Sequence, residues 1–148
     1  MADHVRQRIR ERVVTDVTGL STTGSRVVDS AIYPQASGDL PGLCVYAKSE
    51  ASEPITLGTS RLTDRTLEVV VQGYVENNSD FANVCDDISK EVEVAIAGDR
   101  TLNDLAKDSY LTSTEMDYVS SGNKPIGVVT LIFTVEYLTL EASPDTPQ

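Results

Sequence analysis

The chain has 148 residues, 40% of them apolar, and a formal net charge of −11. That length suits one domain burying roughly 70% of its unfolded surface, while the acidity disfavours nonspecific binding to DNA or to an anionic membrane, which need basic patches. One histidine, no tryptophan and two cysteines far apart leave little reactive side-chain chemistry, so the chain is expected to act through surfaces rather than a pocket.

Asp3 is placed to cap a helix whose apolar positions Val5, Ile9, Val13, Val17 and Leu20 follow helical spacing. Gly19 and the run Ser21-Thr22-Thr23-Gly24 end it. Arg6, Arg8, Arg10 and Arg12 lie two apart on this helix. At 100° per residue they spread around it and form no flat basic stripe; a solvated helix face is the plainer reading, since exposed pairs contribute little, and pairing with acids of this or a neighbouring chain is the functional one. The charged, helical start holds no apolar run long enough for a signal peptide or membrane span, so synthesis and folding are expected in a cytoplasm.

A short strand is predicted from Arg26 to Tyr33, ending at Pro34, and Asp39-Leu40-Pro41 turns the chain into a second strand, Gly42 to Lys48. Its residues Leu43, Val45 and Ala47 share one face. Ser49 to Ser60, with Pro54, Gly58 and small polar residues, reads as a loop or hairpin tip. From Arg61 to Glu76 the alternation is clear: Leu67, Val69, Val71 and Val75 point one way, Thr66, Glu68, Gln72 and Tyr74 the other.

Asn77-Asn78-Ser79-Asp80 signals a helix start, and Phe81, Val84, Cys85, Ile88, Val92, Ala95 and Ile96 form its apolar stripe up to Gly98. Thr101 to Ala106 reads as a single turn of helix capped by Thr101. Strands are predicted over Ser109–Ser120 and Gly127–Leu138, joined by a turn at Ser121-Gly122-Asn123-Lys124-Pro125, with Val129, Leu131, Phe133, Val135 and Tyr137 facing the core. Cys44 and Cys85 are expected as buried free thiols facing that core. The predicted domain covers residues 1–138, and 139–148, with two prolines, are expected to be a disordered tail.

These elements define an α+β fold: about five strands in a largely antiparallel or mixed sheet, with two main helices packed on one face. The other face carries Val70, Tyr74, Val128 and Ile132 among polar residues, and such a half-apolar face is an expected contact between copies. No cofactor is expected, since the glycines form no phosphate-binding motif. His4, the single imidazole, has no nucleophile placed beside it in the sequence. Glu115 and Asp117 project from one face of a strand, with Glu136 expected opposite, and such a set could bind a hard cation or serve as an acid/base pair. A solvated strand face produces the same spacing and is the plainer reading, since no loop or glycine signature of a metal site accompanies it. A small cytoplasmic enzyme or metal-binding domain using these carboxylates is therefore the alternative.

Four stretches carry a resemblance: Asp39-Leu40-Pro41-Gly42-Leu43-Cys44-Val45-Tyr46; Arg61-Leu62-Thr63-Asp64-Arg65-Thr66-Leu67-Glu68-Val69-Val70-Val71; Leu102-Asn103-Asp104-Leu105; and the ending Gly127-Val128-Val129-Thr130-Leu131-Ile132-Phe133-Thr134-Val135-Glu136-Tyr137. In this order they resemble the tail terminator family of long-tailed bacteriophages, the minor tail protein U type, over residues 1–138. The resemblance implies a non-enzymatic virion protein, assembled in the host cytoplasm. It would form a homohexameric ring on the head-proximal end of the tail tube and stop polymerisation of the tube protein. The ring would dock the head–tail connector proteins, with DNA passing unbound through an acidic lumen and no membrane contact. Another neck ring, such as a head completion protein, would fit similar features. Candidate assembly contacts are Arg6, Arg8, Arg10, Glu53, Pro54, Ile55, Leu57, Val70 and Tyr74, with the loop Ser49–Ser60 expected to become ordered on a neighbour or on the tube.

Overall fold

The computed structural model describes residues 3–29, 41–58, 60–76, 81–121 and 124–148. The elements run α1 (Val5–Val17), β1 (Val27–Val28), β2 (Gly42–Pro54), β3 (Leu62–Glu76), α2 (Phe81–Ala97), β4 (Asp108–Ser121), β5 (Lys124–Leu140) and β6 (Ser143–Pro147). The predicted turn at Asp39-Leu40, strand residues 30–33 with Pro34, helix start 77–80 and turn residues Gly122-Asn123 lie outside the described residues.

The strands form one mixed, six-stranded sheet in the order β1-β2-β3-β5-β4, with β6 also on β5. Only β1–β2 is parallel; the other pairings are antiparallel. The expected α+β fold is therefore present, with one more strand than anticipated. That strand is β6, which pairs Thr139 with Pro147 and Leu140 with Ser143, so the C-terminal residues fold back on the sheet instead of forming a free tail. Thr139, assigned above to that tail, is fully buried.

Alternation decides which side of the sheet is core. Leu43 and Val45 of β2, Leu67, Val69 and Val71 of β3, and Val129, Leu131, Phe133, Val135 and Tyr137 of β5 form one cluster with Val5, Ile9, Val13 and Val17 of α1 and Phe81, Cys85, Ile88, Val92 and Ile96 of α2. Both helices thus lie on one face. The seam is tight where glycine permits it: a Cβ at Gly73 would meet Ile88 Cγ2 at 3.1 Å, and one at Gly127 would fall 1.6 Å from Phe81 Cε2.

Local chemistry adjusts the predicted ends. His4, not Asp3, caps α1, its Nδ1 accepting the Arg6 N–H at 3.0 Å. Leu20 leaves the helix and bridges to Gly24. The segment after α2 is not right-handed helix: Leu102, Asn103 and Asp104 have φ of 50°, 59° and 65°, a left-handed turn with Leu102 fully buried. Asn and Asp tolerate this region, but for Leu it costs about 1–2 kcal/mol, which burial of the side chain offsets.

The face away from the helices also differs from expectation. Val70, Tyr74 and Val128 are buried, with Cys44, Tyr74 and Val128 forming a second small cluster. The two buried thiols therefore sit on opposite faces of the sheet, Cys85 in the main core and Cys44 in this second cluster. Burial raises both to about 11, so they remain protonated at neutral pH.

Candidate functional site

A β-bulge precedes the exposed end of the sheet edge. Along β2 the pairing with β3 shifts between Ala47 and Ser49, so Lys48 is an extra residue. Beyond it β2 continues as strand to Pro54, paired with Thr63 of β3. Ser49–Pro54 is therefore not loop; sequence alone misled because residues exposed on both faces lose the alternation that marks a strand. Residues 51–58 are exposed throughout. This arm spans roughly 17 Å from Glu50 to Ile55 at about 3.4 Å per residue; β2 is its outer edge, and β3 is backed by β5 as far as Leu62↔Leu140.

The tip carries apolar side chains. Ile55 is 50% exposed and Leu57 98% exposed, with Gly58 at φ 112° turning the chain. The turn is tied by Ile55 N–H to Leu62 O at 2.9 Å and Leu62 N–H to Thr56 Oγ1 at 2.7 Å. Arg61 reaches Glu141 at 2.7 Å beside it. A nearly bare leucine held at the end of a hydrogen-bonded hairpin gains nothing for the monomer.

The same bulge turns Glu50 to the helix side of the sheet, opposite Leu67. There Arg6 of α1 meets Glu50 Oε2 at 2.7 Å and Arg65 of β3 meets the same oxygen at 3.2 Å, while the Tyr137 hydroxyl donates to Oε1. Arg65 also donates to Thr139 Oγ1 at 3.0 Å and lies 6.0 Å from the Tyr137 ring centre. The Glu50 side chain is only 9% exposed, so a nearly buried carboxylate at the arm's base joins α1, β3 and β5. Burial, then the Glu50 carboxylate, pushes the Tyr137 phenol well above its usual range. His4 is held below its usual value by burial and by Arg6 and Arg65, which keeps its capping nitrogen unprotonated.

Each N-terminal arginine has a partner within the chain. Besides Arg6, Arg8 donates to Asp145 O of β6 at 3.3 Å, Arg10 meets Asp29 at 2.7 Å and Arg12 meets Asp99 at 2.7 Å. The partners are in cis, three carboxylates and one backbone carbonyl. Of the candidate contacts, Glu53, Pro54, Ile55 and Leu57 gather on the arm. Val70 and Tyr74 do not join them: both are buried, and the Tyr74 hydroxyl donates to Gln72 at 2.8 Å.

The carboxylate set does not assemble. Glu115 pairs across from Thr130 and Asp117 from Val128, whereas Glu136 is opposite Asp108. Thr130 and Glu136 are six positions apart on β5, roughly 20 Å along a strand. Among the described residues no group of three His, Cys, Asp or Glu side chains is placed to hold a metal, and no helix is long and apolar enough to cross a membrane. The Glu50 cluster escaped sequence reading because the bulge that reverses its facing has no marker in the residues around Lys48.

Comparison with protein-family models and with curated proteins gives no match. Among solved structures the chain is similar to a chain of the "Virion of native gene transfer agent (GTA) particle", with 16% identity over 90% of both chains and a TM-score of 0.40. That likeness carries no argument about function.

Proposed function

We propose that the protein is a structural part of a phage-type virion that forms a ring on the head-proximal end of a tail tube, stops tube growth and docks the connector. The observation that carries this reading is the arm: a rigidly paired hairpin presenting Ile55 and Leu57 to solvent, a surface suited to burial against another protein. The ordered resemblance of the sequence to tail terminators supplies the kind of assembly. A closed ring uses up its own side contacts and so limits growth. The surplus of acidic residues suits a lumen through which DNA must slide without sticking.

The test is a double variant, Ile55→Ser with Leu57→Ser. Native mass spectrometry should show hexamers for the wild type, on tube ends or at high concentration, and loss of them in the variant at unchanged monomer stability. Tails assembled with the variant should overgrow. A wild-type protein that stays monomeric and does not bind tube ends would refute the assignment; binding to a head portal instead of to tubes would move it to a head completion role.

A further inference from the structure

At the far end of α1 from the arm, two carboxylates face one guanidinium. Arg12 Nε lies 2.7 Å from Asp99 Oδ2 and 3.5 Å from Asp16 Oδ1. Asp16 is 11% exposed, and its other oxygen, Oδ2, is buried with no hydrogen-bond donor. Asp99 stands in the turn after α2, where its Oδ1 accepts the Asn103 N–H at 3.1 Å and its carbonyl accepts Leu102 N–H at 2.9 Å. Asp99 therefore starts the left-handed turn. The charged groups facing Asp16 are Arg12 from its own helix and Asp99 from that turn. With both acids ionised the cluster would carry one uncompensated negative charge and an orphaned buried acceptor, an arrangement costly in a poorly solvated site.

We propose that Asp16 and Asp99 hold one proton between them, Asp16 donating through Oδ2, and that its release to solvent on raising pH weakens the link between α1 and the left-handed turn. One added proton answers both problems: it turns the orphan oxygen into a donor and brings the cluster to neutrality with Arg12. Burial, then the hydrogen bond to Asp99, raises Asp16 to about 7, while the hydrogen bond from Asp16 holds Asp99 below the usual range. The sign follows. The native state binds this proton where an unfolded aspartate has lost it, so the stabilisation is complete below pH ~4 and is lost as pH rises toward about 7.

The experiment is a carboxyl-carbon NMR titration of the full chain from pH 4 to 9, with melting temperatures across the same range. Asp16 should titrate with a midpoint near 7. Asp99→Asn should lower the Asp16 midpoint by at least one unit, because sharing, unlike burial alone, depends on the second carboxylate. Asp16→Asn keeps a donor toward Asp99 without a titrating proton, and should remove roughly 5–10 °C of the fall in melting temperature from pH 5 to 8.5; Asp87→Asn, an exposed control of equal charge, should not. An Asp16 midpoint near 4 in the wild type, or one unmoved by Asp99→Asn, would overturn the proposal even if the Asp16 variant did not fold.

Discussion

Glu50 illustrates how one residue's environment reverses what its type suggests. A glutamate in a polar, small-residue run reads as solvated, yet the bulge at Lys48 delivers it beneath the start of α1, between Arg6 and Arg65. Removing one member of a nearly buried ion cluster leaves the rest uncompensated. Glu50→Gln should cost about 3 kcal/mol, seen in urea melts as a lower midpoint with unchanged slope. Arg6→Gln, whose side chain is 41% exposed, should cost under about 1 kcal/mol. Equal losses for the two would contradict this placement. His4 gives the pH counterpart. Its folded value lies below that of the free imidazole, so the unfolded chain takes up the proton first and stability falls as pH drops through ~6.5. His4→Asn keeps a capping oxygen. It should match the wild type at pH 8 and exceed it at pH 5 in thermal melts.

At the level of elements, legibility followed burial. β3 and the core face of β5 were readable because the middle of one side of each is apolar: Leu67, Val69, Val71, then Val129 through Tyr137 in alternation. The α2 stripe was readable for the same reason at helical spacing. What failed was structure held by something other than an apolar stripe. The outer half of β2 is strand by pairing alone, β6 depends on the edge of β5, and the left-handed turn depends on Asp99 and on burial of Leu102. Gly127 shows the limit from the other side: its place in β5 was clear, but its approach to Phe81 was not. Gly127→Ala should displace that ring and cost about 1–3 kcal/mol, measurable by denaturant melts. Asn103→Val, a β-branched residue at φ 59°, should cost at least about 1 kcal/mol, and Asn103→Gly should be nearly neutral.

Across the whole molecule the candidate site was half legible. Glu53, Pro54, Ile55 and Leu57 fall together on the arm, whereas Val70 and Tyr74 are buried, because strand alternation tells which residues share a face but not whether that face is covered. The cis partners of Arg6, Arg8 and Arg10 bear on the same point. Changing all three to Gln should lower the monomer's melting temperature as well as any association, with both effects shrinking in high salt. Unaltered monomer stability would assign these arginines to contacts outside the chain.

The β3–β5 ladder runs without a break from Leu62↔Leu140 beside the arm to Glu76↔Ile126 near the start of α2. A hairpin tethered by a flexible hinge would swing without disturbing the body. Here β3 is both one side of the arm and the centre of the sheet, so the arm is cantilevered rather than hinged. A force applied at Leu57 loads the rungs of this ladder in shear, in parallel, rather than peeling them one at a time. Stretched from the tip, the protein should behave as a stiff element that yields in one abrupt event, and whatever holds Ile55 and Leu57 would feel the position of the core directly.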